Sequence, residues 1–82
     1  MSKLSNVKIA VIGLGYVGLP LAVAFAKQFP VLGFDINFNR VKKLKAGIDT
    51  TLEVANSELV AADSLTFTCL EDDLKSCNTF IV

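Results

Sequence analysis

Residues 10–28 read AVIGLGYVGLPLAVAFAKQ, with Gly13, Gly15 and Gly18 crowded into six positions. Before the glycines runs VKIAVI, residues 7–12, a short, β-branched, apolar segment that predicts a buried strand. Its near-continuous apolar character suits a parallel sheet covered on both faces. After the glycines, residues 16–28 predict a helix, with Val17, Leu21 and Phe25 at four-residue spacing as its apolar stripe. Pro20 falls in the first turn or just after it, where a missing N–H does least harm. Glycine in a regular element costs about 0.5–1 kcal/mol against alanine, so three of them at a strand-to-helix junction require a reason.

The spacing supplies one. G-x-G-x-x-G alone is a weak pattern, and a glycine turn that only packs helix on strand would also satisfy it. Here it follows a strand, opens a helix, and is followed by an acid, Asp35, at the end of the next apolar run VLGFD. That combination predicts a dinucleotide-binding βαβ unit. Gly13 lets the chain turn off the strand, Gly15 lets a pyrophosphate approach the backbone, and Gly18 lets the helix pack closely on the sheet. The amides around Tyr16 and Val17 head the helix, where its dipole favours negative charge. Asp35 is placed to accept hydrogen bonds from the adenosine ribose hydroxyls and to repel a 2′-phosphate, which favours NAD over NADP. Arg40, five residues on, lies against the adenine or a phosphate oxygen, or else is a surface arginine on a helix. Tyr16 either shields the pyrophosphate or packs as an ordinary aromatic.

Beyond the glycines the pattern alternates. Pro30 closes the first helix and residues 31–35 form a second strand. Asn37 or Asn39 caps a second helix running to about Ala46, with Val41 and Leu44 facing inward and Gly47 just past its end. A polar-mixed loop follows over residues 48–54. Residues 56–62 (NSELVAA) predict a short capped helix, residues 65–68 (LTFT) a third strand, residues 71–76 a short helix or turn, and residues 79–82 (TFIV) another apolar strand. The order β-α-β-α-(α)-β-(α)-β argues for a parallel α/β sheet with right-handed crossovers. The chain stops inside an apolar run, which leads us to expect one domain, residues 1–82, as part of a longer protein.

Composition narrows the function classes. Of 82 residues, 52% are hydrophobic, enough for a core. Eight basic residues balance eight acidic ones, so no basic field draws in nucleic acid or an anionic membrane, and Lys42, Lys43 and Lys45 read as a solvated helix face. Residues 9–26 are almost uncharged, but their glycine spacing and the lack of a cleavage site argue against a membrane span or signal sequence, and a cytoplasmic protein is expected. There is no histidine, and Cys69 and Cys77 form no CxxC pair, so no metal site is expected. Neither cysteine has a visible activating base, and Asp72 and Asp73 read as a solvated pair at a helix start.

The segments KIAVIGLGYVGLPLAVAFAK, VLGFDINFNRVKKLKAGIDTTLEV and LTFTCLEDDLKSCNTFIV together resemble the N-terminal part of the UDP-glucose/GDP-mannose dehydrogenase family. The GLGYVGLPLA and FDINFNRV runs carry the resemblance beyond a generic glycine motif, and GIDTTLEV is most similar to the branch acting on UDP-N-acetylhexosamines. The resemblance covers residues 8–82. It implies an incomplete Rossmann-type parallel sheet with flanking helices, the first half of a cofactor domain. It also implies NAD as cofactor, with Gly13, Gly15, Tyr16, Val17, Gly18, Asp35 and Arg40 as its contacts. Glu53 falls in a loop that in the family approaches the cofactor or substrate. The implied reaction is oxidation of C6 of a UDP-sugar, UDP-N-acetylglucosamine or UDP-N-acetylgalactosamine, from alcohol to acid in two NAD-dependent steps for surface polysaccharide. A homo-oligomer is implied for the complete enzyme. The family's catalytic cysteine lies in a later domain, and neither Cys69 nor Cys77 matches it, so no catalytic residue is expected here. A non-catalytic NAD-sensing module and another NAD-dependent oxidoreductase are the competing expectations.

Overall fold

The computed structural model describes residues 7–15, 17–50 and 54–82. Tyr16 and Glu53, both singled out above, lie outside the described residues. Strand β1 (Ile9–Ile12) leads through the glycine turn into helix α1 (Gly18–Ala26), then β2 (Val31–Phe34) and α2 (Phe38–Lys45). A second helical pass, α3 (Asn56–Ala61), precedes β3 (Leu65–Thr68), and a 3-10 turn (Glu71–Ser76) precedes β4 (Thr79–Ile81). All neighbouring strands pair in parallel in the order β3-β2-β1-β4. The register sets Ile12 beside Phe34 and Phe34 beside Thr68, so these strands end level with one another. Gly13 and Asp35 therefore leave the sheet side by side.

Side chains of a strand alternate between faces, and the two faces are unequally covered. Ile9, Val11, Val31 and Leu65 pack with Leu19, Ala22, Val23 and Ala26 of α1, Leu44 of α2 and Leu59 of α3 in one core. On the other face, Ala10 and Leu32 are covered by Cys77 and half-buried Leu74. The expectation of cover on both faces holds, though the second is thin among the described residues.

The stripe expected for α1 holds only in part: Phe25 packs half-buried against the core. Leu19, Ala22, Val23 and Ala26 face the sheet, whereas Val17 is 78% exposed and Leu21 and Phe25 are half-buried. The sequence GLPLAVAFA has no polar residue to mark an outer side, so periodicity could not choose. The rotation is set instead by the approach of Gly18 to the turn, and alanines on the inner face let the helix sit close.

Local signals fix the ends of α2. The Asn37 side chain accepts from the Arg40 N–H, a capping bond. At the other end Gly47 has φ +82°, its N–H bonds the Leu44 carbonyl, and the Ile48 N–H bonds the Lys43 carbonyl, a Schellman closure. Val41 and Leu44 are buried, and Lys42, Lys43 and Lys45 are exposed in the last turn, all as expected. Helix α3 departs from expectation: Ala55 is the residue at its N-cap and makes no side-chain capping bond, because Asn56 is already the first helical residue.

Candidate cofactor site

Gly13 leaves β1 with φ +95°, a conformation that side chains with a Cβ rarely adopt. This turn brings the Gly13 carbonyl under the start of α1. A Cβ placed on Gly18 would stand 1.8 Å from that oxygen, so only glycine fits there. Gly15 differs: among the described residues a Cβ on it would meet nothing within 4 Å beyond its chain neighbours. The Leu19 N–H donates to the Gly15 carbonyl, and helix α1 begins at Gly18, so its positive end faces the glycine turn. No acidic residue occupies the first turn of α1 to neutralise its positive end. A cleft of about 310 Å³ opens here, lined by Gly13, Gly15, Val17, Gly18, Leu21 and Ile81. A larger groove of about 610 Å³ lies beside β3 between α2 and α3 and does not touch the turn.

Leu14 anchors the turn in three ways. Its side chain is fully buried and lies over Gly33, where an added Cβ would come within 3.0 Å of a Leu14 methyl. Its N–H donates to Asp35 Oδ2 at 2.9 Å. Its carbonyl accepts from Arg40 Nε at 2.9 Å and Nη2 at 2.6 Å. Asp35 is itself fixed: its N–H donates to the Thr68 carbonyl, and its Oδ1 accepts from the Asn37 N–H at 2.9 Å. A carboxylate has about four acceptor sites, so these two bonds leave lone pairs for ribose hydroxyls.

Arg40 is not a surface arginine. Its side chain is 10% exposed, and Nη1 donates to Asp49 Oδ1 at 2.7 Å. The Asp49 side chain is wholly buried, and its Oδ2 accepts from the Val54 N–H at 2.9 Å. Sequence reasoning missed Asp49. Its loop looks polar and solvated, and the only available signal was an acid shortly after a glycine helix stop, within reach of an arginine one helix back. Gly13, Gly15, Val17, Gly18, Asp35 and Arg40 all gather around the carboxyl ends of β1 and β2. Among the described residues no group of three or more His, Cys, Asp or Glu side chains could hold a metal ion. Cys69 is half-buried and Cys77 buried, both as free thiols.

Strand β1 has β2 on one side and β4 on the other, and the glycine turn rises from this point of divergence. Ligands of open α/β sheets bind at that place, outside the carboxyl ends of the strands. A bare helix start, open space over Gly15 and an acid at the end of β2 fit a dinucleotide. They define a dinucleotide-binding unit of the doubly wound α/β class.

The chain belongs to the UDP-glucose/GDP-mannose dehydrogenase family, whose NAD-binding domain matches residues 7–82. Its cofactor is NAD. It is 56% identical over 79 residues to a UDP-N-acetyl-D-glucosamine 6-dehydrogenase of Pseudomonas aeruginosa, covering 96% of this chain and 19% of that protein. A Salmonella typhi enzyme of the same name is 50% identical over 82 residues, covering 100% of this chain and 19% of the relative. The solved UDP-D-ManNAc dehydrogenase of Pyrococcus horikoshii superposes with a TM-score of 0.73 at 37% identity, covering 89% of this chain and 19% of that one. The chain thus spans about a fifth of the length of the curated relatives it matches.

Proposed function

We propose that these residues are the N-terminal part of the NAD-binding domain of a UDP-N-acetylhexosamine 6-dehydrogenase. In this reading the enzyme oxidises the C6 alcohol of UDP-N-acetylglucosamine or UDP-N-acetylgalactosamine to the uronic acid in two NAD-dependent steps. The product serves surface polysaccharide synthesis. The observation that carries the reading is the Asp35 carboxylate, held beside the glycine turn by the Leu14 amide, in a chain closely similar to enzymes of that name.

Gly13, Gly15, Tyr16, Val17 and Gly18 receive the pyrophosphate on backbone N–H groups at the helix start. Asp35 takes the adenosine ribose hydroxyls, and Arg40 supports the same end of the cofactor. When bound, NAD accepts hydride at each oxidation; the residues of this chain bind and orient it. In this reading the protein works in the cytoplasm. No helix among the described residues is long and apolar enough to cross a membrane.

The test is NADH formation by the protein expressed from its own gene, with UDP-N-acetylglucosamine, UDP-N-acetylgalactosamine and UDP-glucose as substrates. Two equivalents of NADH per N-acetylated sugar, with little turnover of UDP-glucose or with NADP, is the expected result. NAD binding without NADH formation from any of the three would refute the dehydrogenase reading in favour of an NAD sensor.

A further inference from the structure

Resting on the reading of this site as an NAD site, we propose that Asp49 is a positioning residue for cofactor specificity. By holding Arg40 inward, it denies a 2′-phosphate the cation that would otherwise accept it.

Arg40 stands where such a phosphate would be met. Dinucleotide enzymes that use NADP place an arginine near the position of the ribose-binding acid. Arg40 lies five residues after Asp35, and the Asn37 cap fixes the turn between them. Arginine presents a planar fork of donors suited to phosphate. All three nitrogens of that fork are engaged here: Nε and Nη2 on the Leu14 carbonyl, Nη1 on Asp49.

The Asp49 carboxylate answers the guanidinium charge from a fully buried position. Turning Arg40 outward would strip a buried carboxylate of its cation and the Leu14 carbonyl of two donors, and breaking one side of a buried pair is strongly unfavourable. Asp35 therefore excludes a 2′-phosphate by repulsion, and Asp49 excludes it by withdrawing the counter-charge. A merely structural Asp49 would support the loop for both cofactors equally, and this difference makes the proposal testable.

The probes are NAD, NADP, 5′-AMP and 2′,5′-ADP, titrated into the protein expressed from its own gene. The unmodified protein is compared with Asp49→Asn and with Asp49→Asn/Arg40→Met, with thermal melting as the fold control. In Asp49→Asn the 2′-phosphorylated ligands should gain about tenfold or more relative to their unphosphorylated counterparts, the worth of one charge-assisted hydrogen bond to phosphate. The second substitution, Arg40→Met, should abolish the gain. A folded Asp49→Asn protein that weakens all four ligands alike, with the ratio unchanged, overturns the proposal.

If Asp49→Asn does not fold, the Arg40 Nε–H resonance of the unmodified protein decides. It should stay unperturbed as 2′,5′-ADP is added, and a shift as large as that of the glycine-turn amides overturns the proposal. Failure of the unmodified protein to bind NAD or 5′-AMP would overturn the reading of the site together with this inference. Normal binding with an unchanged ratio overturns the inference alone.

Discussion

Alanine at Gly18 and alanine at Gly15 should separate the two duties of the glycine turn. At Gly18 the new Cβ would stand 1.8 Å from the Gly13 carbonyl oxygen, and contacts under 3.0 Å are essentially never tolerated. Either the turn or the start of α1 must retreat by about 1.2 Å, the gap between those two distances. A radial gap of about 0.5–1 Å already forfeits a quarter to a half of a dispersion contact. Leu19 and Ala22, the first inward side chains of α1, would lose packing on the sheet. Overpacking of this kind costs about 1–3 kcal/mol. The opposing gain in helix propensity is at most about 1 kcal/mol, and less at the first helical residue than in an interior. Packing wins, and Gly18→Ala should lower the urea midpoint and weaken NAD binding together. Among the described residues no atom other than those of its chain neighbours lies within 4 Å of a Cβ added at Gly15, and the backbone is outside the left-handed region, so the folded protein accepts it. Its stability should hold or rise by about 0.4–1 kcal/mol, because the unfolded chain loses freedom. NAD binding should still weaken tenfold or more, about 1.4 kcal/mol, because in the proposed site the pyrophosphate comes closest there. The assays are urea unfolding and calorimetric NAD titration on the protein expressed from its own gene. A Gly15→Ala protein with unchanged NAD affinity would refute the cradle, and a Gly18→Ala protein as stable as the original would refute the packing argument.

Two further substitutions test the supports of the turn. Leu14→Ala removes a fully buried side chain over Gly33 and should cost about 2–5 kcal/mol in urea unfolding; a loss under about 0.5 kcal/mol, the level of an ordinary surface change, would mean that Leu14 is no anchor. Asn37→Ala removes the α2 cap and should cost about 1 kcal/mol, with faster hydrogen exchange at the Arg40 amide; unchanged protection of that amide would show that the cap does not hold the helix start.

How far the sequence could be read depended on the range of the signal. The turn, the β2 acid, the Asn37 cap and the Gly47 stop are local chemistry, each settled within a few residues, and the structure places them as expected. The strand ladder was legible because β-branched runs alternate with capped helices. The buried face of α1 was not legible, since the helix is apolar all round and its rotation depends on Gly18 meeting a carbonyl five residues earlier. Asp49 was not legible either. A charged residue in a loop is ordinarily solvated, and nothing in GIDTT says that Gly47 turns the chain so that the carboxylate is buried against Arg40.

The bonds on Leu14 explain why the turn can hold its shape before any ligand arrives. Backbone amides aimed at a phosphate help binding only if ordering them is not charged to the binding step. Here the order comes from within the chain: Gly33 receives the Leu14 side chain, Asp35 takes its N–H, and Arg40, braced by Asp49, takes its carbonyl. Asp35 accepts from the loop at Leu14 and Asn37, and in the proposed reading the same carboxylate also takes the cofactor ribose. Arg40 likewise joins loop rigidity to the local charge balance. In that reading, specificity for NAD and rigidity of the glycine turn are coupled in the same residues. Neutralising Asp35 to admit a 2′-phosphate also loosens the turn that must bind the pyrophosphate. Releasing Arg40 through Asp49 would leave the Asp35 bond to the Leu14 N–H in place but would take the Arg40 donors from the Leu14 carbonyl, so that route also draws on the rigidity of the turn.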